Sequence, residues 1–159
     1  MVEKIIEEFK QKLAEVNYDE NLARAFGAVA SDVRERGRGK VVFEFLENAL
    51  KNSESLEVRK ASIKALSKTN LPQAANILFN YYMDIDLEDA RLALINMGDI
   101  TVSLLKGLAE KGSETAMRDL VKIGTPYSRE VLNNLLYHSD ENIQRLAALN
   151  IAEFRSLNN

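Results

Sequence analysis

Few residues of this 159-residue chain carry side chains suited to chemistry, and their spacing decides what they could do. The chain has no Cys and one His, which excludes thiolate nucleophiles, thiolate metal sites and His-rich metal clusters. The one histidine, His138, stands beside Ser139 and Asp140. Adjacent residues of a helix or turn do not converge on one point, whereas a catalytic triad is assembled from separated positions. We therefore expect no catalytic residue, metal or cofactor, and we interpret Ser139 and Asp140 as turn and cap residues.

Charged residues recur in a regular arrangement that could serve binding or structure. An acidic residue stands five positions before an arginine in four segments, which are Asp19 with Arg24, Glu54 with Arg59, Asp86 with Arg91, and Asp140 with Arg145. A binding function would make these pairs an ionic stripe. An Asp or Ser in front of a helix, however, caps free N–H groups and contributes about 1 kcal/mol. We therefore interpret the pairs as structural.

One basic segment, from Arg34 to Lys40, could contact phosphate groups. The whole chain has a net charge of −3 and therefore lacks the broad positive field that nonspecific nucleic-acid binding needs. A solvated loop is therefore the preferred interpretation of this segment. Nucleic acid is not the expected partner and stays a minor alternative.

The elements that position these residues are helices. In residues 2–16 the apolar side chains recur every three or four residues and the charged side chains occupy the opposite side. Similar patterns follow almost to the end of the chain. The segment 41–46 (VVFEFL) is the one strand-like candidate, and because it continues without a breaker we predict that it is helical.

Internal similarity organises these helices into pairs. DENLARAFGAVASDV, from Asp19, aligns with DENIQRLAALNIAEF, from Asp140, and related segments lie between them. Each such segment follows another helix-length apolar pattern, of which two begin near Pro72 and Pro126. The sequence therefore predicts one all-α domain over residues 1–159, a solenoid without a domain boundary. Its approximate repeats are 1–40, 41–70, 71–99, 100–125 and 126–159.

This pattern of an apolar helix, a turn with Asp, then an aliphatic residue, any residue and Arg resembles HEAT and HEAT-like repeats. The clearest copies are DIDLEDARLALINMG and SDENIQRLAALNIAEF, and the resemblance extends over nearly the whole chain. SETAMRDLVKIG departs from it, since Ser113 replaces the acidic turn residue. The resemblance implies a right-handed superhelix of about five antiparallel helix pairs, with second helices lining a concave surface that binds proteins. It also implies that the acid–arginine pairs form a ladder between repeats.

Aligning the second helices on their arginines predicts which side chains face outward. In the second repeat the inward residues are Val58, Ala61, Ser62, Ala65 and Leu66, and the outward ones are Glu57, Lys60, Lys64 and Lys68. The positions equivalent to Lys60 are Leu92, Arg118 and Leu146. Those equivalent to Lys64 are Asn96, Lys122 and Asn150. The predicted partner-binding surface consists of Lys60, Lys64, Leu92, Arg118 and Lys122. A basic surface with exposed leucines suits an acidic segment that carries apolar anchors.

The favoured function is therefore a non-enzymatic scaffold that binds another protein. One alternative is a lyase or enzyme-accessory subunit of the phycobilin-lyase type, whose members carry short HEAT-like repeats. That alternative rests on the repeat alone, because the chain shows no bilin-binding signature. No apolar run approaches the 18 or so residues of a membrane span, and the acidic N-terminus is unlike a targeting segment. We therefore expect a cytoplasmic protein without a membrane partner.

The ends of a solenoid need polar faces, and the last helix does not meet this need in the arginine alignment. Ile143, Leu146 and Phe154 form a second apolar stripe beside the predicted core face. Two alternatives follow. If these side chains are exposed, the C-terminal helix forms a two-fold homodimer or binds a partner. If the alignment is wrong by one residue, they pack on the preceding helix.

Overall fold

The computed structural model describes residues 39–85 and 88–157. These residues form eight α-helices, and no β-strand occurs among them. The helices are α1 (Gly39–Asn52), α2 (Leu56–Thr69), α3 (Pro72–Ile85), α4 (Glu88–Asn96), α5 (Asp99–Ala109), α6 (Glu114–Ile123), α7 (Pro126–Leu135) and α8 (Glu141–Leu157). The all-α prediction is confirmed for this part of the chain. Most of the predicted first repeat, residues 1–40, lies outside the described residues.

The strand-like segment 41–46 belongs to α1 and is helical, as predicted. Its buried side chains recur at intervals of three and four residues, which is the spacing of one face of a helix rather than of a strand. On that face lie Val42, Phe45, Leu46, Ala49 and Leu50. Tertiary burial on a helical face therefore outweighs the strand propensity of the valines and phenylalanines.

The helices begin at side chains that accept hydrogen bonds from their first turn. Three hydroxyl residues cap α2, α6 and α7, each accepting from the N–H three residues later: Ser55 from Val58 (3.4 Å), Ser113 from Ala116 (3.3 Å) and Thr125 from Ser128 (3.2 Å). Each bond satisfies an N–H that the helix itself leaves unpaired. Pro72 and Pro126 are the first residues of α3 and α7, where a missing N–H costs nothing.

Two helices end at residues with left-handed backbone geometry. Gly124 (φ 70°) ends α6 and Asn70 (φ 50°) ends α2. Glycine has no Cβ to clash at positive φ, and Asn tolerates this region better than most residues, so both residue types stop a helix sharply. The connections between helices are consequently short.

The described residues belong to two compact units, with the boundary between Ala93 and Leu94 in α4. In the first unit α1, α2 and α3 all contact one another. Its largest fully buried side chains include Phe45, Leu66, Leu78 and Tyr81. The prediction of one continuous repeat domain stays a prediction.

The second unit contains α5 to α8 around one hydrophobic cluster. Each helix contacts the next, and α5 also contacts α7 as α6 contacts α8. The cluster consists of Val102, Leu105, Ala109, Ala116, Met117, Leu120, Val121, Val131, Leu132, Leu135, Ile143, Ala147 and Ile151. All four helices therefore share one core.

Candidate interaction surface

The helices α2, α4, α6 and α8 bury and expose the same positions when counted from their first residues. The third and seventh residues are buried in all four helices: Val58 and Ser62, Ala90 and Leu94, Ala116 and Leu120, Ile143 and Ala147. The fifth and ninth residues are exposed in all four: Lys60 and Lys64, Leu92 and Asn96, Arg118 and Lys122, Arg145 and Leu149. This recurrence places all five predicted partner-binding residues at exposed positions.

The exposed side of α2 carries the densest charge of one sign. Lys60, Lys64 and Lys68 are exposed and four residues apart, and Leu56, which is 45% exposed, precedes them at the same interval. None of these three lysines forms an ion pair with another residue that the structure describes. We call Leu56, Lys60, Lys64 and Lys68 the lysine stripe. The predicted inward and outward residues of this helix are confirmed by their burial.

Two of the equivalent cations of the second unit have hydrogen-bond partners on their own helices. Arg118 forms an ion pair with Glu114 of its own helix, and Arg145 donates to the side-chain oxygen of Asn142 (3.0 Å). Lys122 is exposed without an ion pair in the described part of the chain. The face formed by α6 and α8 is therefore of mixed charge, in contrast to the lysine stripe.

The alignment predicted for α8 is wrong by one residue. Leu146 and Asn150, predicted as equivalents of Lys60 and Lys64, are half-buried and buried, and the exposed equivalents are Arg145 and Leu149. The physical reason is the helix cap. The Asp140 carboxylate accepts from the N–H of Asn142 (2.8 Å), so Asp140 corresponds to the cap residue of the other helices rather than to the residue before it.

The same shift decides between the two alternatives for the C-terminal helix. Ile143 is buried, and Leu146 is half-buried against the core cluster of the second unit. These two side chains therefore pack on their own unit and do not form an exposed stripe. The side chain of Phe154 lies outside what the structure describes. Among the described side chains of this helix the large exposed apolar one is Leu149, at 62% exposure. A homodimer through α8 stays a prediction, without Ile143 and Leu146 and with Phe154 untested.

Two arginines of the predicted ladder form local hydrogen bonds. The Arg59 guanidinium donates to the backbone oxygen of Glu54 (3.3 Å), one residue before the α2 cap. Arg91 donates to both carboxylate oxygens of Glu88 (3.0 and 3.1 Å), within α4. Both arginines therefore bind to the start of their own helix.

The other members of the predicted ladder divide into described and undescribed residues. Asp19 and Arg24, the first predicted pair, both lie outside the described residues, and so does Asp86. The predicted structural function of Asp19 and Arg24 therefore stays a prediction, as does the ladder between repeats. The cap function predicted for Asp140 is confirmed by its bond to the N–H of Asn142.

His138 belongs to the turn between α7 and α8. Its Nδ1 accepts from the backbone N–H of Asp140 (3.1 Å), and its backbone oxygen accepts from the side-chain amide of Gln144 (2.6 Å). Both bonds tie the turn to the start of α8. His138 thus has a structural function in the turn, and Ser139 and Asp140 lie beside it as turn and cap residues.

Three polar side-chain atoms are buried without a hydrogen-bond partner in the described part of the molecule. They are the Arg59 Nε, the Tyr81 hydroxyl and the Asn150 Oδ1. Asn150 is only 4% exposed, although its amide nitrogen donates to the backbone oxygen of Leu146 (2.8 Å). Sequence patterns carry no signal for such a residue, because Asn is mostly exposed in proteins.

No group of three or more His, Cys, Asp or Glu residues in the described part of the chain is arranged to hold a metal ion. No helix in the same part of the chain is long and apolar enough to span a membrane.

Comparison with protein-family models, curated proteins and solved structures finds no match for this chain. The resemblance to HEAT-like repeats therefore rests on the sequence pattern.

Proposed function

We propose that this protein is a non-enzymatic, HEAT-like interaction module that binds a segment of another protein. The single observation that carries the proposal is the recurrence of exposed fifth and ninth positions in α2, α4, α6 and α8. A helix that must bury its third and seventh residues leaves the fifth and ninth free to vary. In a repeat protein such free positions on successive helices form the binding surface.

The helix contacts within each unit support the HEAT-like arrangement. In the first unit α1 contacts both α2 and α3, and in the second unit α5 contacts both α6 and α7. Stacked helix pairs require this pattern, because first helices lie beside first helices and second beside second. We propose that the pairs continue as a right-handed superhelix. Small-angle scattering tests it, since a superhelix scatters as an elongated particle and an unstacked bundle as a compact one.

The chemistry of the exposed positions indicates an acidic partner segment with apolar anchors. Lys60, Lys64 and Lys122 supply cations without ion pairs among the described residues, and Leu92 is 44% exposed. Charges at an interface rim steer association and select the partner, whereas buried apolar anchors supply most of the binding energy. The combination favours a protein segment of mixed acidic and aliphatic character.

The test reverses the charge of three lysines at the proposed surface, and a control variant reverses three lysines elsewhere. Lys60→Glu/Lys64→Glu/Lys122→Glu should lose most of the proteins captured from extract of the source cells, as quantified by mass spectrometry. The control Lys51→Glu/Lys106→Glu/Lys111→Glu has the same change in net charge at other exposed lysines and should keep them. The first variant should melt within a few degrees of the wild type, because surface changes cost less than about 0.5 kcal/mol each. The control should melt somewhat lower, because Lys51 and Lys106 form ion pairs with Glu47 and Glu110 that the reversal turns into like-charge pairs.

Equal capture by the wild type and the first variant would remove this surface from consideration. Two further measurements address the alternatives. A shift of bilin absorbance on mixing would favour the lyase-type function. Binding of DNA or RNA that weakens steeply with salt would favour a nucleic-acid partner.

A further inference from the structure

The lysine stripe on α2 also indicates the form of the segment that it binds. We propose that its occupant is an α-helical segment antiparallel to α2, with acidic side chains at four-residue intervals and an aliphatic side chain against Leu56. The inference rests on the proposed function and specifies the partner of the same surface. It concerns the first unit alone.

The spacing of the stripe matches a helix. Neighbouring members of the stripe are four residues apart, or about 6 Å along the helix axis, and the whole stripe spans about 18 Å. Acidic residues four apart on a second helix have the same interval and stay in register along the stripe. Alternate residues of an extended strand recur at about 6.6–6.8 Å and are about 2 Å out of register after three intervals.

Charge complementarity decides the chemistry of the occupant. Lys60, Lys64 and Lys68 are exposed, form no ion pair with any described residue and lie in a chain whose net charge is −3. Three cations on one line of an acidic protein leave a local site for anions. The equivalent stripe of α6 begins with the Glu114–Arg118 pair and offers no such run.

The helix dipoles decide the direction. The cations occupy the middle and C-terminal parts of α2, where Lys68 lies in the last turn, and Leu56 is its first residue. In an antiparallel complex the acidic residues of the partner fall in its own N-terminal turns, where negative charge stabilises a helix. The two opposed macrodipoles also attract each other. A parallel partner would place its acidic residues at its C-terminal end, which is unfavourable.

Three synthetic peptides of equal charge test the proposal on the full chain. The first is alanine-based, with three Glu at four-residue intervals followed after four residues by Leu. The second has the reversed sequence. The third alternates Glu with Val to favour a strand. Fluorescence anisotropy gives the affinities, and circular dichroism reports helix induction.

We expect the first peptide to bind at least about tenfold more tightly than the other two and to gain helix content on binding. Lys60→Glu/Lys64→Glu/Lys68→Glu should weaken it about tenfold or more, and the matched control Lys51→Glu/Lys106→Glu/Lys111→Glu should not. Leu56→Ala should weaken it less than the triple reversal.

Each other outcome overturns the inference. Equal binding of the reversed peptide contradicts the direction, and equal binding of the alternating peptide contradicts the helical form. If no peptide binds while Lys60→Glu/Lys64→Glu/Lys122→Glu still abolishes capture from extract, the helical occupant is wrong and the proposed function stands. If the charge-reversal variants change neither peptide binding nor capture from extract, both the inference and the proposed function are wrong.

Discussion

The helix pairs α5–α6 and α7–α8 share one layout but bury different residues. The caps that begin α5 and α7, Gly98 and Thr125, are 27 residues apart, and so are Ser113 and Asp140 at α6 and α8. Leu105 and its equivalent Leu132 are both fully enclosed in the shared core. The two pairs therefore match in the spacing of their caps and in this buried position.

Two hydroxyl residues show how far this repetition extends. Thr101 and Ser128 are both fully buried at the third positions of α5 and α7. Each hydroxyl donates to the backbone oxygen of its cap residue, Gly98 (2.9 Å) or Thr125 (3.0 Å). The shared bond satisfies each buried hydroxyl within its own turn, and the Thr101 hydroxyl also lies 2.9 Å from the backbone oxygen of Leu94.

The differences lie on one side of the repeat. Three buried apolar residues of α5 and α6 correspond to polar or small residues of α7 and α8 that are more exposed. The pairs are Val102 with Arg129, Met117 with Gln144, and Val121 with Ala148. The first member of each pair belongs to the core cluster of the second unit, whereas the second member is exposed or half-buried. Residue type at equivalent positions thus follows burial.

The largest expected effect concerns Met117 and its equivalent Gln144. Met117→Ala should lower the free energy of unfolding by about 2–5 kcal/mol, because it leaves a cavity in the core. Gln144→Ala should cost only about 1 kcal/mol, mainly through the lost bond to His138. Urea unfolding of both variants provides the measurement. Similar losses at the two positions would contradict this contrast between the two pairs.

The sequence predicted the orientation of α2 better than that of α8. Helical spacing and the arginine alignment were sufficient to orient α2, where Val58 and Leu66 are buried and Lys60 and Lys64 exposed, as predicted. The bounds of the four later helix pairs also follow the apolar pattern. These features depend on local periodicity, which a sequence shows directly.

The alignment was wrong in α8 because the arginine is not the repeated feature. Arg59 and Arg91 are the fourth residues of their helices, whereas Arg145 is the fifth. The register depends on which residue is the cap. Asp140 is the cap of α8, but Glu54 precedes the cap Ser55. In the sequence, an acidic residue that is the cap cannot be told from one that precedes the cap. Only the hydrogen bond of the folded helix distinguishes the two.

The second prediction concerns the tenth residues of α6 and α8, which differ in polarity. Ile123 of α6 corresponds to Asn150 of α8, whose buried Oδ1 has no partner among the described residues. Asn150→Leu should raise the free energy of unfolding by about 1–2 kcal/mol, because an unsatisfied buried acceptor costs about 1–3 kcal/mol.

Thermal unfolding measures this effect, with Asn142→Leu at an exposed position of the same helix as the control. A lower melting temperature of Asn150→Leu would show that the buried amide stabilises α8 rather than weakening it.

The smallest effect tests the caps, where Gly98 has no side chain and Thr125 forms two bonds. The Thr125 hydroxyl accepts from the N–H of Ser128 and donates to the Asp99 carboxylate, which ties the start of α7 to the start of α5. Thr125→Ala should therefore cost about 1 kcal/mol or slightly more, and Ser113→Ala about 1 kcal/mol or slightly less, since Ser113 accepts only the bond from Ala116. Equilibrium unfolding compares them with Thr115→Ala on the exposed side of α6. In the Asp99→Ala background the excess at Thr125 should disappear, because the capping bond is then the one that remains. An excess that persists without Asp99 would mean that the cap alone sets the stability of α7.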